Sequence, residues 1–325
     1  MSHIMPLSIH PHHDFDSLVE AFLKETSCLD PSPRPHPVVI PSLSFGDQLR
    51  LQVASKKGIC MGLEFLTPSG FTHRVTGRER SAPWSRDRLV WRILPHVTEV
   101  AARLGIDPET ASPRDLFAVA GVIADRFDQY GHFRPELIRA WHEGNSGIPA
   151  GKRGEWRSHE DWQRKLWQVI ARGIDSPHPA LTLTEFAANQ KARDRASDDI
   201  PHLTVIGSGT IDTLLVEVLS MFSTTESRVG IHILLPTQHY LGELKAGALA
   251  ALRMRRDPEE EIPATGDMHP LLLTMGRHAV GTFQLLGEVD EGYAGWTPQD
   301  GTNRREAATL LEKLQEDIRG MRAPA

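Results

Sequence analysis

The sequence predicts an α/β fold in which a parallel sheet is interrupted by a helical section. Three observations carry that expectation. First, His202-Leu203-Thr204-Val205-Ile206 and Val229-Gly230-Ile231-His232-Ile233-Leu234-Leu235 are short β-branched and aliphatic runs, as expected of strands buried on both faces. Second, Leu214, Leu215, Val218, Leu219 and Phe222 recur between them at helical spacing, so the stretch reads as strand, glycine turn, helix, strand: one right-handed βαβ unit. Third, from Ser85 to about Arg172 the pattern turns helical, as a series of apolar stripes.

Taken in order, Met1 to Met5 read as a cloning remnant, and residues 1–13 as a tag and unstructured terminus. Asp14 or Asp16 can cap a first helix whose apolar face is Leu18, Val19, Phe22 and Leu23. After a proline-rich loop, Val38-Val39-Ile40 forms a short strand, followed by the loop Pro41 to Gly46 and a helix bearing Leu49 and Val53. Ile59 to Phe71 reads as a strand and turn. Leu89, Val90, Ile93 and Leu94 then form a helical stripe that Pro95 kinks or ends, with Trp91 on or near its core side. Leu116, Ala120, Ile123, Phe127 and Tyr130 mark the next helix, and Arg134-Pro135 opens a short one through Trp141. After a glycine-rich loop at Asn145 to Gly154, Ser158 and Asp161 resemble a capping box for a helix faced by Trp162, Leu166, Trp167 and Ile170. Past the βαβ unit, a helix follows His269-Pro270, and a last helix runs from about Arg304 to Met321, capped by Asn303 with Leu310, Leu314 and Ile318 inward. The division expected is 14–84 and 200–325 as two parts of one α/β domain, with 85–199 as a helical insertion.

Composition narrows the function classes. A formal net charge of −6 argues against a protein that coats duplex DNA, so any nucleic-acid contact must be local. Cys28 and Cys60 lie far apart and suggest neither a zinc site nor a disulfide framework, which fits a reducing cytoplasm. No apolar run spans a bilayer. His10, His12 and His13 could chelate metal, but an unstructured terminus gives them no supporting shell, so no metal is expected.

The nucleotide-site positions are informative by what they hold. In open parallel sheets ligands sit beyond the carboxyl ends of the strands. The loop after Val38-Val39-Ile40 offers Ser42, Ser44 and Gly46, then Asp47 and Gln48 where a phosphate loop needs lysine and a hydroxyl. Gly207-Ser208-Gly209 ends the next strand without the carboxylate that helps hold magnesium in a nucleotide hydrolase, and Asp212 stands where a dinucleotide fingerprint has its third glycine. Gly147 to Arg153 imitates a phosphate loop but follows a helix. No cofactor is expected.

Two constellations are open to DNA. Asp125, Asp128 and Gln129 lie on the polar flank of the Phe127–Tyr130 helix, where they can reach base edges, and a solvated face with capping salt bridges competes with that reading. Arg74, Arg78, Arg80, Arg86 and Arg88 interleave with Trp84 and Trp91 and read equally as solvated surface or DNA contact.

Several segments in order resemble the RecC family, the gamma subunit of exodeoxyribonuclease V: Val38 to Ser42, Gly62 to Phe71, Ala124-Asp125-Arg126-Phe127-Asp128-Gln129-Tyr130 through Arg134-Pro135, Trp162 to Trp167, Ile206 to Gly209 through Pro236, and Leu310 to Ile318. The resemblance implies a P-loop-NTPase-like, superfamily 1 helicase-like domain without ATPase chemistry. It would be no enzyme on its own but a subunit of an ATP-dependent complex for double-strand break repair by homologous recombination. It implies as partners a single strand from a DNA end, a motor and nuclease beta subunit and a helicase alpha subunit. The family's channel-lining helix matches at Asp125, Asp128 and Arg134, with Arg134 on phosphate. Thr67, His73, Asp47 and Arg126 depart from the family's usual types, which leaves recognition of a Chi-like sequence open. The family continues into further domains, so the chain is expected to be a piece of a longer protein or a shortened relative. The competing readings are an active NTPase using an unrecognised loop and a scaffold that binds only protein.

Overall fold

Among the described residues the strands are β1 Ser8–His12, β2 His36–Val39, β3 Leu63–Leu66, β4 His202–Gly207 and β5 Arg228–Leu234. All pair in parallel in the order β1-β5-β4-β2-β3. The computed structural model describes residues 8–27, 34–77, 83–148, 153–207, 211–222, 228–237 and 309–320, with isolated positions at Leu271, Thr282 and Leu285. Ser208 and Gly209 of the glycine turn, Arg78, Arg80, Cys28 and the helix expected after His269-Pro270 lie outside these residues, apart from Leu271, Thr282 and Leu285.

Contacts divide the chain into two compact units, Met1–Pro68 with Ser197–Ile211 and Phe222–Ala325, and Ser69–Ala196 with Asp212–Met221. The first holds the sheet. One sheet face is covered by α1 (Phe15–Ser27) and α2 (Leu43–Lys57), whose Leu18, Val19, Phe22, Leu49 and Val53 pack with Val38, Ile40 and Ile206. Asp14 starts α1 by accepting from the Ser17 N–H at 2.7 Å. Ser42 caps α2 and accepts from the Phe45 N–H. Gly46 is therefore a helix residue, and a Cβ there would lie 2.4 Å from Ile40 Cδ1. The glycine serves close helix–strand packing.

Polar side chains cross this same sheet face. Glu25 on α1 accepts from His232 of β5 and from Thr204 of β4. A carboxylate only accepts, so His232 donates to it from Nε2, and the His232 Nδ1 lies 3.0 Å from Nε2 of His12 on β1. His36 of β2 approaches Thr204 Oγ1 at 2.9 Å. Gly230 leaves the space Glu25 occupies, since a Cβ would fall 2.4 Å from its Oε1. Burial opposes ionisation of Glu25, but the His232 hydrogen bond and charge outweigh it and keep the carboxyl below its ordinary value. Burial pushes His12 and His36 down to about 4.

The second unit is helical: α3 Pro68–Thr76, α4 Arg86–Ile93, α5 Val97–Ala101, α6 Pro113–Phe133, α7 Pro135–His142, α8 Arg153–Arg172, α9 Pro179–Ala188, most of α10 Gln190–Asp199, and most of α11 Thr213–Phe222. A 3-10 turn at Leu94–His96 separates α4 from α5 at Pro95, as the proline requires. No described helix is long and apolar enough to cross a membrane.

The structure corrects several expectations. The stretch expected as an unstructured terminus contributes β1, because its histidines find partners across the sheet. Pro68 to Phe71 opens α3 instead of closing a turn, with Pro68 at its first position and Phe71 buried. Ser158 lies inside α8, and Asp161 pairs with Arg164 and not with Ser158. The last described helix, Leu310–Arg319, begins at a capping box of Thr309 and Glu312, and Leu310 is exposed; the expected cap Asn303 lies outside the described residues. Trp91 is also exposed, because Leu89, Val90 and Ile93 take the buried face of α4.

The histidine values set a pH dependence. Folded His12 and His36 stay neutral down to about 4, whereas unfolded they protonate near 6.5. Between those values the unfolded chain binds more protons, so stability falls as pH is lowered through that window. Urea midpoints measured from pH 6.5 to 4 are expected to drop, and the slope to flatten in a His12→Gln, His36→Gln double variant. An unchanged slope in the double variant contradicts the assignment.

Candidate nucleic-acid interface

The expected DNA-reading residues all lie in the helical unit, on or just past α6. Ser112 and Asp115 form a capping box, with Pro113 at the first helical position. At the other end Pro135 disfavours helical backbone at Arg134, which takes φ −139 and ψ 51 and serves as the junction between α6 and α7. Val119, Ala120, Ile123, Ala124 and Phe127 are buried along one stripe of α6. Phe127 and Tyr130 meet the indole of Trp141, a buried residue of α7, edge-on. That stripe leaves Asp125, Asp128 and Gln129 on the helix flank, half-buried.

The structure joins some of these residues and separates others. Asp125 Oδ2 accepts from Gln129 Nε2 at 2.9 Å, Gln129 Oε1 accepts from Arg126, and Arg86 of α4 lies 3.6 Å from Asp125 Oδ1. These four side chains form a continuous row of donors and acceptors. Asp128 lies off the row, and burial raises its pKa, with His132 opposing. Arg134 is exposed at the helix end, where its Nε donates to Glu136. A phosphate would therefore compete with Glu136 for Arg134.

Sequence reading missed a second polar pair beside this flank. His132 Nδ1 lies 3.2 Å from Asp212 Oδ2, and Asp212 Oδ1 accepts from the Leu215 N–H as the cap of α11. Asp212 thus starts a helix, and its position before an apolar helical run was the available signal. The Asp212 hydrogen bond outweighs burial and holds the His132 imidazole protonated to higher pH than usual. One turn along α11, Glu217 forms a two-point ion pair with Arg139 of α7.

Other expected contacts take structural roles. Trp84 donates to Ser176 O at 2.8 Å and stacks on Trp167, so it belongs to the packing of the unit. The start of the phosphate-loop imitation is tied to a carboxylate: Glu160 accepts from Gly147 N, Ser146 Oγ and Trp141 Nε1. Burial opposes its ionisation, yet these donors together with Arg164 hold its carboxyl below the ordinary value. Among the described residues no three His, Cys, Asp or Glu side chains converge as metal ligands.

Comparison with known proteins gives a consistent family. A family model described as the RecC N-terminal domain matches residues 7–321. A RecBCD enzyme subunit RecC from Mycolicibacterium smegmatis is 27% identical over 335 residues, covering 97% of this chain and 28% of the relative. The subunits of the same name from Haemophilus influenzae and Escherichia coli K12 are 24% and 21% identical, covering 67% and 93% of this chain and 22% and 29% of the relatives. The chain thus spans under a third of the length of these relatives.

The Asp212 geometry yields a separable test. Asparagine caps helices about as well as aspartate, so Asp212→Asn is expected to keep α11 while removing the charge. Proton NMR titration of His132 is expected to show its pKa falling in the variant. An unchanged value contradicts the pairing.

Proposed function

The chain belongs to the RecC N-terminal domain family, and from that premise we propose that it is a non-catalytic, DNA-handling part of an exodeoxyribonuclease V of the RecBCD type. In this reading it works in the cytoplasm in double-strand break repair by homologous recombination. It receives a single strand from a DNA end, guides it beside the motor and nuclease beta subunit and the helicase alpha subunit, and has no cofactor of its own. Residues 14–84 and 200–325 are two parts of one helicase-like domain, with 85–199 as its helical insertion.

The observation that carries this reading is the row Arg86–Asp125–Gln129–Arg126 along α6, with Arg134 exposed at its end. Amide and carboxylate groups fixed in such a row offer donors and acceptors to base edges, and a guanidinium at the helix end offers charge to phosphate. Asp128, nearer His132, would adjoin a base where the strand passes the α6–α7 junction. The reading without ATP turnover is supported at the β2–α2 loop. There Ser42 is committed to capping α2, Gly46 to packing against Ile40, and Asp47 pairs with Arg50. Triphosphate would meet a carboxylate where a hydrolase places lysine.

Two measurements test the proposal. With the motor subunit present, Arg134→Ala is expected to weaken single-stranded DNA binding several-fold and to lower the salt slope by about one charge. Equal affinity removes Arg134 as a phosphate contact. In a malachite-green assay with ATP, magnesium and DNA ends, the pure chain is expected to release no phosphate above background; robust turnover contradicts the non-catalytic reading.

A further inference from the structure

Trp91 on α4 and Phe117 on α6 form an aromatic pair on the outside of the helical unit. Their ring centroids are 5.4 Å apart at an interplanar angle of 59°. Trp91 is 65% exposed and Phe117 44% exposed. The buried stripes of both helices are complete without them: Leu89, Val90 and Ile93 on α4, and Val119, Ile123 and Phe127 on α6. Neither ring is therefore needed to fill the core, and the two rings stand in mutual contact with their faces open to a ligand.

The surroundings specify which ligand. Arg88 lies three residues before Trp91 on α4, and Arg114 three residues before Phe117 on α6, so each shares its ring's helix face. Both arginines are exposed and have no ion pair among the described residues. Along α6 from Phe117, the same outer face continues through Ala118 and Gly121 to Asp125 and Gln129. A Cβ at Gly121 would meet nothing within 4 Å, so the floor between the rings and the polar row is low and open. The rise from Phe117 to Asp125 is about 12 Å, a length that a short run of nucleotides can follow. At the far end of that floor, Arg86 of α4 reaches Asp125 of α6, so the two helices flank the track over its whole length.

We infer that Trp91 and Phe117 form a stacking platform for a base of the same single strand that the Asp125–Gln129 row contacts, with Arg88 and Arg114 on the adjoining phosphates. The platform rests on the DNA-handling reading above and adds a sequence-tolerant contact to it, since every base has a π face. Arginine beside exposed rings suits a phosphate-linked chain of flat bases. A protein partner would need an interface of about 800 Å² on each side, whereas among the described residues the large apolar side chains exposed at this seam are the two rings and Val122.

The test uses the full 325-residue chain and a fluorescein-labelled oligothymidylate of about twenty nucleotides, read by fluorescence anisotropy, with Arg134→Ala measured in parallel. Trp91→Ala is expected to weaken binding about tenfold, with Trp91→Phe retaining most of the affinity and the thermal melting of both variants unchanged. An oligonucleotide carrying 5-iododeoxyuridine is expected to photocrosslink to the peptide containing Trp91 or Phe117. If Trp91→Ala binds as the parent does while Arg134→Ala is weakened, the platform is wrong and the DNA-handling reading stands. If Trp91→Phe loses as much as Trp91→Ala, stacking is excluded. If DNA binding survives in Trp91→Ala but capture of the motor subunit is lost, the rings are a protein contact instead. No binding by the parent chain overturns both the platform and the reading it rests on.

Discussion

The candidate interface depends on how α6 is terminated. The Ser112–Asp115 capping box fixes where the helix starts, and the Arg134-Pro135 junction fixes where it stops. Between those ends one stripe must be buried, and Phe127 and Tyr130 secure it against Trp141. Once that stripe is set, helical geometry leaves no freedom about the opposite flank. Asp125, Arg126 and Gln129 must stand together beside α4, and Arg134 must emerge at the end where the backbone turns. The polar row is thus a consequence of packing on the other side of the helix.

A second regularity concerns carboxylates. Glu25 is held by His232 and Thr204 across the sheet, Glu160 gathers donors from Ser146, Gly147 and Trp141, and Asp212 caps α11 while holding His132. In each case an internal carboxylate satisfies donors that would otherwise be buried without partners, which is costly. The Gly147 loop illustrates the point. Gly147, the first residue of a segment that resembles a phosphate cradle in sequence, donates its backbone N–H to Glu160. The loop before α2 follows the same economy, with its serine used as a cap.

Much of this was legible in the sequence where a single period dominates. β4, α11 and β5 follow from aliphatic runs around a helical stripe, and α6 from its apolar spacing. What escaped was set by long-range pairing. β1 carries two histidines and a proline in five residues and has no strand-like composition, and it exists because His12 meets His232 from a strand 220 residues away. Ser158 and Asp161 have the spacing of a cap, but local chemistry could not reveal that α8 already runs from Arg153. Trp91 was expected in the core from its place on or near the helical stripe, yet the three aliphatic residues of α4 fill that face without it. In the candidate site, Asp125 and Gln129 were visible on one polar flank and Arg86 in a basic cluster, while the Arg86–Asp125 contact and the His132–Asp212 pair required the fold.

The central claim is that α6, and not the loop before α2, is where this chain meets its ligand. Hydrogen–deuterium exchange of the chain with and without single-stranded DNA, and with and without ATP and magnesium, tests it most directly. The account predicts slowed exchange in peptides covering residues 113–134 on adding DNA, and no change at residues 40–47 on adding nucleotide. Protection at residues 40–47 by nucleotide, with residues 113–134 indifferent to DNA, would contradict it.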